Sequence, residues 1–553
     1  MKKLIPIPLV ALALLNGAPA LAQAPAASPG ATQQRQIEEE RRLREQDRLP
    51  QRPSTDPLRV QPVQPTPVTP AAQALRFPVR EIRFTPSAIL SSDELQAMAL
   101  PYLRPEVSLA ELQKLVAQIN QRYRERGVVT ALAVIPPQDV SSGVITIRII
   151  EGRLGEVRIE GNASTEAAFV DSRIGLSPGD LVDLPSLESA LIRFNRTNDV
   201  QLAAELKPGA DAGQTDLWVL LSEPPRQQFQ VFADNLGVPS TGTYRAGVSY
   251  LNRSLLGYRD ELSLLVTGAE GLRSAAAVYG FPVNIMGGRL SFGYYFADTE
   301  IRNGSLAPLD VTGDSVTKVL TLRQPTWVVP EGQLDVVYGA GWSSSSTEIS
   351  GVALQQLDTR YQNLGLEGQW FEAGAATFAS YGYTYGQVTS ENRREFGISR
   401  VALRHNRDLV DALSLWGTAS GQWTGDVLLP SNQQYFIGGE GSVRGYATGL
   451  LSGDEGFTLS LELRRALNLG SWAAGGTALS ASGFAFVDYG RVYPFRPPAS
   501  VLPAWQQLTG VGVGVRASLA RDLFGTLTYA YGLTDVPLQP RAYALTFQLG
   551  VLF

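Results

Sequence analysis

The sequence predicts a membrane β-barrel of about sixteen antiparallel strands, preceded by two small α/β units and an N-terminal helix plus linker. Three observations predict it. From Arg226 to Phe553, apolar and polar residues alternate over short segments separated by Gly, Ser, Asn and Asp. Before that, residues 77–151 and 153–223 repeat one order of elements, β-α-α-β-β. Before both, the chain opens on a basic and then apolar leader.

Composition narrows the function. The 553 residues are 44% hydrophobic and 18% charged, against ~25% charged in an ordinary soluble protein. Yet mean hydropathy is −0.03, and beyond the leader no apolar run approaches the ~20 residues of a spanning helix. There is no Cys, and His405 is the single His. Disulfides, thiol catalysis, zinc–thiolate sites and multi-histidine metal centres are therefore excluded, and no cofactor or metal is predicted. His405, within Arg404-His405-Asn406-Arg407, reads as a polar surface residue at a strand end. The net charge of −5 and a pI of about 5.4 give no global footprint for nucleic acid. No G-x-S-x-G, HExxH or Walker pattern is present, and Gly439-Glu440-Gly441-Ser442 lacks the helix that phosphate binding needs.

Residues 1–22 read as a signal peptide. Lys2 and Lys3 precede an apolar stretch from Leu4 to Leu15, too short for a bilayer, and Ala20-Leu21-Ala22 is an A-x-A cleavage site. Cleavage removes two positive charges and takes the formal charge from −5 to −7. Residues 31–49 read as a polar helix: Glu38, Glu39 and Glu40 lie three to four residues before Arg41, Arg42 and Arg44. Ile37, Leu43 and Leu49 are too few for a core face, so this helix belongs in water or in a water-filled cavity. A charged tail that is partly helical is the other reading. Residues 50–76 form a linker rich in proline from Pro50 to Pro70, expected to block helices and sheet ladders alike. At ~3.1 Å per residue, twenty such residues reach ~60 Å. The helix is thus free to plug a distant pore.

In the first α/β unit, Val79–Phe84 alternates like a strand and Ser91-Ser92-Asp93-Glu94 opens a short helix. Ser108–Arg126 is a longer helix with Leu109, Leu112, Leu115, Val116 and Ile119 on one face and Gly127 after its end. Val128–Ile135 and Val144–Ile150 complete it as strands. The second unit repeats this with a strand at 154–160, helices at 165–174 and 184–198, and strands at 202–207 and 216–221. Pro224-Pro225 closes the region.

Residues 226–553 form the barrel. Phe457, Leu459, Leu461 and Leu463 share one face of a strand, opposite Thr458, Ser460, Glu462 and Arg464. Leu527, Tyr529 and Tyr531 oppose Thr526, Thr528 and Ala530, and the last strand ends on Phe553 with Tyr543, Leu545, Phe547, Leu549 and Val551 on its face. Apolar faces this uniform belong in lipid rather than in water. The 328 residues from 226 to 553, at ~20 per strand and connection, give about sixteen strands. A barrel of ~16 strands encloses an aqueous channel, which must be plugged when idle.

One loop stands out: the segment from Tyr435 to Tyr446, which carries Val443, Arg444, Gly445 and Tyr446. An arginine beside a glycine can approach a wall closely and bind a carboxylate with two hydrogen bonds. In Phe486-Val487-Asp488-Tyr489-Gly490, alternation turns Phe486 and Asp488 into the lumen, so Asp488 is a candidate acceptor. Glu462 is a second. A solvated loop arginine is the plain alternative.

These residues carry a resemblance. From signal peptide to terminal Phe553 the chain resembles the outer-membrane TpsB transporters of two-partner secretion, of the ShlB/FhaC type, within the BamA-like superfamily. Val443-Arg444-Gly445-Tyr446 matches the superfamily's VRGY motif in the sixth extracellular loop, and Phe486–Gly490 matches its F-x-[GD]-x-G strand motif. Asp234-Asn235-Leu236-Gly237, Thr241-Gly242, Arg245, Asn252, Leu256-Gly257 and Asp260 resemble its first barrel hairpin. Members usually carry a second Gly where this chain has Gly257-Tyr258-Arg259-Asp260. The repeated units resemble its paired POTRA domains, with Phe194-Asn195-Arg196 and Pro208-Gly209 in the second.

The resemblance implies transport without nucleotide hydrolysis. POTRA domains in the periplasm would capture an unfolded exoprotein (an adhesin, a haemolysin or a contact-dependent inhibition toxin), with an exposed sheet edge adding a cargo strand. The barrel would pass the cargo to the cell surface. Arg444 would pair with Asp488 and hold the conducting conformation. Phe553 would serve as the signal for the barrel assembly machinery, and outer-membrane lipid and lipopolysaccharide would surround the barrel. Three other readings compete. A BamA-like insertase fits a single repeat pair and Pro linker less well, a diffusion porin has no use for two α/β units, and a barrel-attached enzyme lacks a catalytic constellation.

Overall fold

The computed structural model describes residues 58–60, 76–128, 130–210, 214–390, 393–425, 427–467, 479–496, 503–519, 522–536 and 543–553. The signal peptide, the polar helix at 31–49 and most of the linker lie outside these residues. One part of the linker is described, and it corrects an expectation. Leu58–Val60 (β1) is a strand, although the prolines were expected to prevent any ladder. It occupies the gap between Pro57 and Pro62, where consecutive residues keep their N–H groups.

The first unit contains β2 (Arg76–Phe77), β3 (Glu81–Phe84), α1 (Ser92–Ala99), β4 (Val107–Ser108), α2 (Leu109–Glu125), β5 (Ala131–Val134) and β6 (Val144–Glu151). Its main sheet has the order β3-β6-β5. Ser91 caps α1 through the Glu94 N–H. Ser108 and Glu111 form a reciprocal capping box on α2. Leu112, Leu115, Ile119 and Tyr123 of α2 are fully buried against Ile145 and Ile147.

Tyr123 continues that apolar face but brings a hydroxyl with it. Glu151 answers it, accepting hydrogen bonds from Tyr123 Oη (3.0 Å), Ser87 Oγ (2.5 Å) and the Ala88 N–H (2.9 Å). Burial pushes the Glu151 pKa up, but these donors outweigh it and hold the carboxyl below its ordinary value. A carboxylate with a lowered folded pKa contributes stability that is complete above ~4.3, the unfolded value, and fades as acid protonates the folded form. Glu151→Gln is expected to cost ~1–3 kcal/mol, because it leaves the cluster incompletely paired. Thermal unfolding should show that loss at neutral pH and a smaller difference from wild type near pH 3.

The second unit contains β7 (Arg153–Glu160), α3 (Ala167–Ile174), α4 (Leu184–Thr197), β8 (Gln201–Pro208) and β9 (Gln214–Ser222). Its sheet order is β1-β8-β9-β7, with β1 parallel to β8. The edge of β8 is therefore occupied by the chain's own linker. Asn195 on α4 closes the unit by accepting from the Leu202 N–H (2.7 Å) and donating to its carbonyl (2.9 Å).

Sixteen antiparallel strands close the barrel, as the alternation predicts. They are β10 (Gln227–Asp234), β11 (Arg245–Asn252), β12 (Glu261–Ala269), β13 (Leu272–Pro282), β14 (Arg289–Glu300), β15 (Val311–Val329), β16 (Gly332–Ile349), β17 (Val352–Glu372), β18 (Ala375–Val388), β19 (Arg394–Asp408) and β20 (Leu413–Trp423), then five more. A small hairpin, β21 (Tyr435–Ile437) with β22 (Leu451–Gly453), interrupts them. The remaining five are β23 (Glu455–Leu467), β24 (Leu479–Tyr493), β25 (Gln506–Leu519), β26 (Leu523–Gly532) and β27 (Tyr543–Leu552). β15, β16 and β17 run to 19, 18 and 21 residues, longer than the sequence segments implied.

Outward positions are apolar. Leu459, Leu461, Leu463, Val513, Val515, Leu527, Tyr529, Tyr531, Leu545 and Leu549 are exposed, whereas Glu462 and Thr528 are buried toward the lumen. His405 sits near the end of β19, half-buried, with Nδ1 2.9 Å from Thr377 Oγ1. β10 and β27 meet at a seam of five registered pairs, from Gln230–Leu552 to Asp234–Gln548. Phe553 extends that seam by exchanging main-chain hydrogen bonds with Phe229, while its side chain stays exposed.

Candidate functional site: a loop arginine held at the barrel wall

Connections at one end of the barrel, including Ser254–Asp260 and the turn at Pro330, touch the second α/β unit. The connection between β20 and β23 lies at the opposite end. It folds back into the lumen instead of standing clear of it. Gly445 takes φ +95 and lies against the backbone of Tyr531 and Gly532, where a Cβ would come within 2.9 Å of a main-chain nitrogen. That close approach and positive φ together require glycine. Val443 is fully buried beside Ile437, Leu451, Val492 and Leu508. Tyr446 Oη donates to the Thr509 carbonyl (2.9 Å) and accepts from the Thr534 N–H (2.8 Å).

Arg444 is held between these anchors. Its Nε and Nη2 donate to the two oxygens of Asp488 (2.7 and 2.9 Å), and its own N–H donates to Asp488 Oδ2 (3.1 Å). Its Nη1 donates to Glu462 (2.9 Å), and the guanidinium lies 3.4 Å from the centre of the Phe486 ring. The structure thus joins Arg444 to both acceptor candidates at once. The side chains are 8% exposed for Arg444, 7% for Glu462 and 0% for Asp488, so the solvated-loop alternative does not describe this arginine.

Two parts of the cluster had a weak sequence signal. Glu462 also accepts from Arg516 Nη1 (2.6 Å) and Arg464 Nε (2.6 Å), and Ser460 Oγ donates to Asp488 (2.6 Å). Alternation places Ser460, Glu462 and Arg464 on a lumen face, but no sequence pattern says which lumen residues meet across strands, and Arg516 comes from another strand. Glu440 stands in the Gly-rich run Gly439–Ser442, whose pattern gives it no partner. It accepts from Thr528 Oγ1 (3.3 Å) and Thr546 Oγ1 (3.1 Å), tying the loop to β26 and β27.

Gly490 completes the contact. A Cβ there would lie 2.8 Å from Val443 Cγ2 and 3.2 Å from Ile437 Cγ2, so one methyl group displaces the loop from the wall. Overpacking of this kind costs ~1–3 kcal/mol. Gly490→Ala is expected to lower transport several-fold with normal barrel amounts. Adding Val443→Ala removes the colliding methyl and should recover much of the loss in the same assay.

Comparison with known proteins places this architecture. The family model described as haemolysin secretion/activation protein ShlB/FhaC/HecB matches residues 213–517. The chain belongs to that family. A second model, the ShlB-type POTRA domain, matches residues 77–152, the first α/β unit. The chain is 25% identical over 440 residues to the heme/hemopexin transporter protein HuxB of Haemophilus influenzae, covering 76% of each chain. It is 26% identical over 514 residues to the outer membrane transporter CdiB of Dickeya dadantii, covering 87% of this chain and 88% of that one. The solved structure of CdiB from Escherichia coli superposes with a TM-score of 0.65 at 22% identity, covering 95% of this chain and 98% of that one.

As a ShlB/FhaC/HecB member, the chain is a two-partner secretion transporter of the outer membrane, with its α/β units on the periplasmic side. The family is one of transporters. Among the described residues, no group of three or more His, Cys, Asp or Glu is arranged to hold a metal. The loop between β20 and β23 is then the sixth connection at the outer end, counted from β10.

Proposed function

We propose that the chain moves an unfolded exoprotein from the periplasm to the cell surface, with Arg444 as the anchor that holds the sixth loop in its working position. The observation that carries this reading is the placement of Arg444 on Asp488 and Glu462 inside a closed sixteen-strand barrel. The two α/β units serve as the capture site on the periplasmic side. The polar helix at 31–49 is the plug at rest, withdrawn along its linker when cargo engages. Transport needs no nucleotide hydrolysis, and folding of the cargo outside supplies direction. Barrel assembly machinery inserts the chain through its terminal Phe553, and lipopolysaccharide meets the outer rim.

HuxB is named for heme/hemopexin transport and HpmB of Proteus mirabilis for hemolysin. A large secreted adhesin, haemolysin or inhibition toxin is the corresponding cargo class here. The test is co-expression with the exoprotein encoded by the neighbouring reading frame. Its appearance in the medium should depend on this chain. Loss of many unrelated barrel proteins on depletion, with no change in that exoprotein, would favour an insertase instead.

A further inference from the structure

The edge of β8 carries a short strand from the chain's own linker. β1 pairs with it in parallel through three positions, Leu58 with Ala204, Arg59 with Glu205 and Val60 with Leu206. β8 itself runs over eight residues, from Gln201 to Pro208. Among the described residues, Gln201–Ala203 and Lys207 have no registered partner on that side. Parallel pairing is weaker per residue than antiparallel, and a strand of three residues is short against the usual ~5–6. Leu58 adds a half-buried contact with the core of the unit.

The sequence also forbids this strand to grow. Pro57 and Pro62 bracket it and have no N–H to donate, so at most four consecutive residues can pair. An incoming extended segment without prolines can pair along Gln201–Lys207, the seven residues of β8 before Pro208, and take an apolar side chain in the position of Leu58. Main-chain pairing of this kind accepts many sequences, which suits an unfolded cargo. The edge is also close to the barrel mouth, because Asp199, two residues before β8, binds Arg259 in a barrel turn.

We infer that β1 is a self-strand covering a cargo-binding edge on β8, and that an extended segment of the exoprotein displaces it. The inference rests on the transport reading above.

The test uses the purified full chain in detergent and a fluorescent peptide of residues 54–63. The peptide should bind Leu58→Asp about ten-fold more tightly than the unsubstituted chain, because the tethered competitor is weakened. Urea-unfolded exoprotein, diluted in, should then displace the peptide. Equal affinity for the two chains, or a peptide retained at saturating exoprotein, overturns the inference. In cells, Arg59→Cys with Glu205→Cys can be joined by a short, reducible thiol cross-linker, since the chain has no other Cys. Secretion should fall about ten-fold and return on reduction, and full secretion by the cross-linked pair overturns the inference. No secretion by the unsubstituted chain counts against the transport reading itself, and the peptide measurement still decides the edge.

Discussion

Arg444→Ala leaves a folded barrel in the outer membrane and removes most secretion. The substitution strips two carboxylates of their partner: Asp488, with no exposed side-chain surface, and Glu462, at 7%. Breaking a buried pair costs ~3–5 kcal/mol, against ~0–1 for an exposed one. Glu462 keeps Arg464 and Arg516, so the damage falls mainly on Asp488, whose remaining side-chain donor is Ser460. A loss of ~3 kcal/mol on the docked loop changes its population about 100-fold relative to an undocked one. The sixteen-strand ladder does not depend on that contact, because β23, β24 and β25 pair through their own main chains. Arg444→Lys should rescue little: an ammonium cannot reproduce the two-pronged contact with Asp488 or the stacking on Phe486. The check is barrel amount and heat-modifiable mobility in membranes, read beside exoprotein in the medium. Wild-type secretion by Arg444→Ala at normal membrane amounts would remove the anchor role.

Much of this was legible because the lipid face imposes period two. Leu459, Leu461 and Leu463 had to point outward, so Ser460 and Glu462 had to point in, and strand number followed from chain length. The meeting of Arg444 with Asp488 was legible as a possibility through glycine, loop and lumen-facing carboxylate. Its sharing with Glu462 was not, because cross-strand register depends on how all sixteen strands stagger. The strand at Leu58–Val60 was hidden by the seven prolines from Pro50 to Pro70: counted together they forbid a ladder, but the spacing between Pro57 and Pro62 leaves room for one. Tyr123 was missed for a related reason. It extends the apolar stripe of α2 by one further turn, and its hydroxyl is satisfied by Glu151, 28 residues away.

The departure at Arg259 predicts an asymmetry between two partners. Arg259 holds φ +56 and is buried with its side chain fully covered. In that region a residue other than glycine carries a cost of ~1–2 kcal/mol, consistent with the resemblance to a family that usually has glycine in this turn. The conformation is held by contacts with the second α/β unit and with Arg289 of β14. Nε donates to Asp199 (3.0 Å), Nη2 donates to the other Asp199 oxygen, Nη1 donates to Ser164 Oγ (3.3 Å), and the Arg259 carbonyl accepts from Arg289 (3.0 Å). Nearby, Ser254 Oγ donates to the Ser164 carbonyl (2.7 Å), and the Glu166 N–H donates to that of Gly257 (2.8 Å). Arg259→Gly loses the pair but recovers the strain and leaves Asp199 38% exposed and near Arg253, so the docked unit should weaken by only ~1 kcal/mol. Asp199→Ala leaves a buried guanidinium without its carboxylate and keeps the strain, so the loss should be ~3 kcal/mol or more. The double variant should resemble Arg259→Gly rather than the sum, because removing the arginine removes the stranded charge. Protease cleavage between Glu223 and Arg226 reports release of the unit, and secretion should fall in the same order. Equal effects of the two single substitutions would mean that Arg259 fills space in the turn and does not latch the periplasmic unit to the barrel.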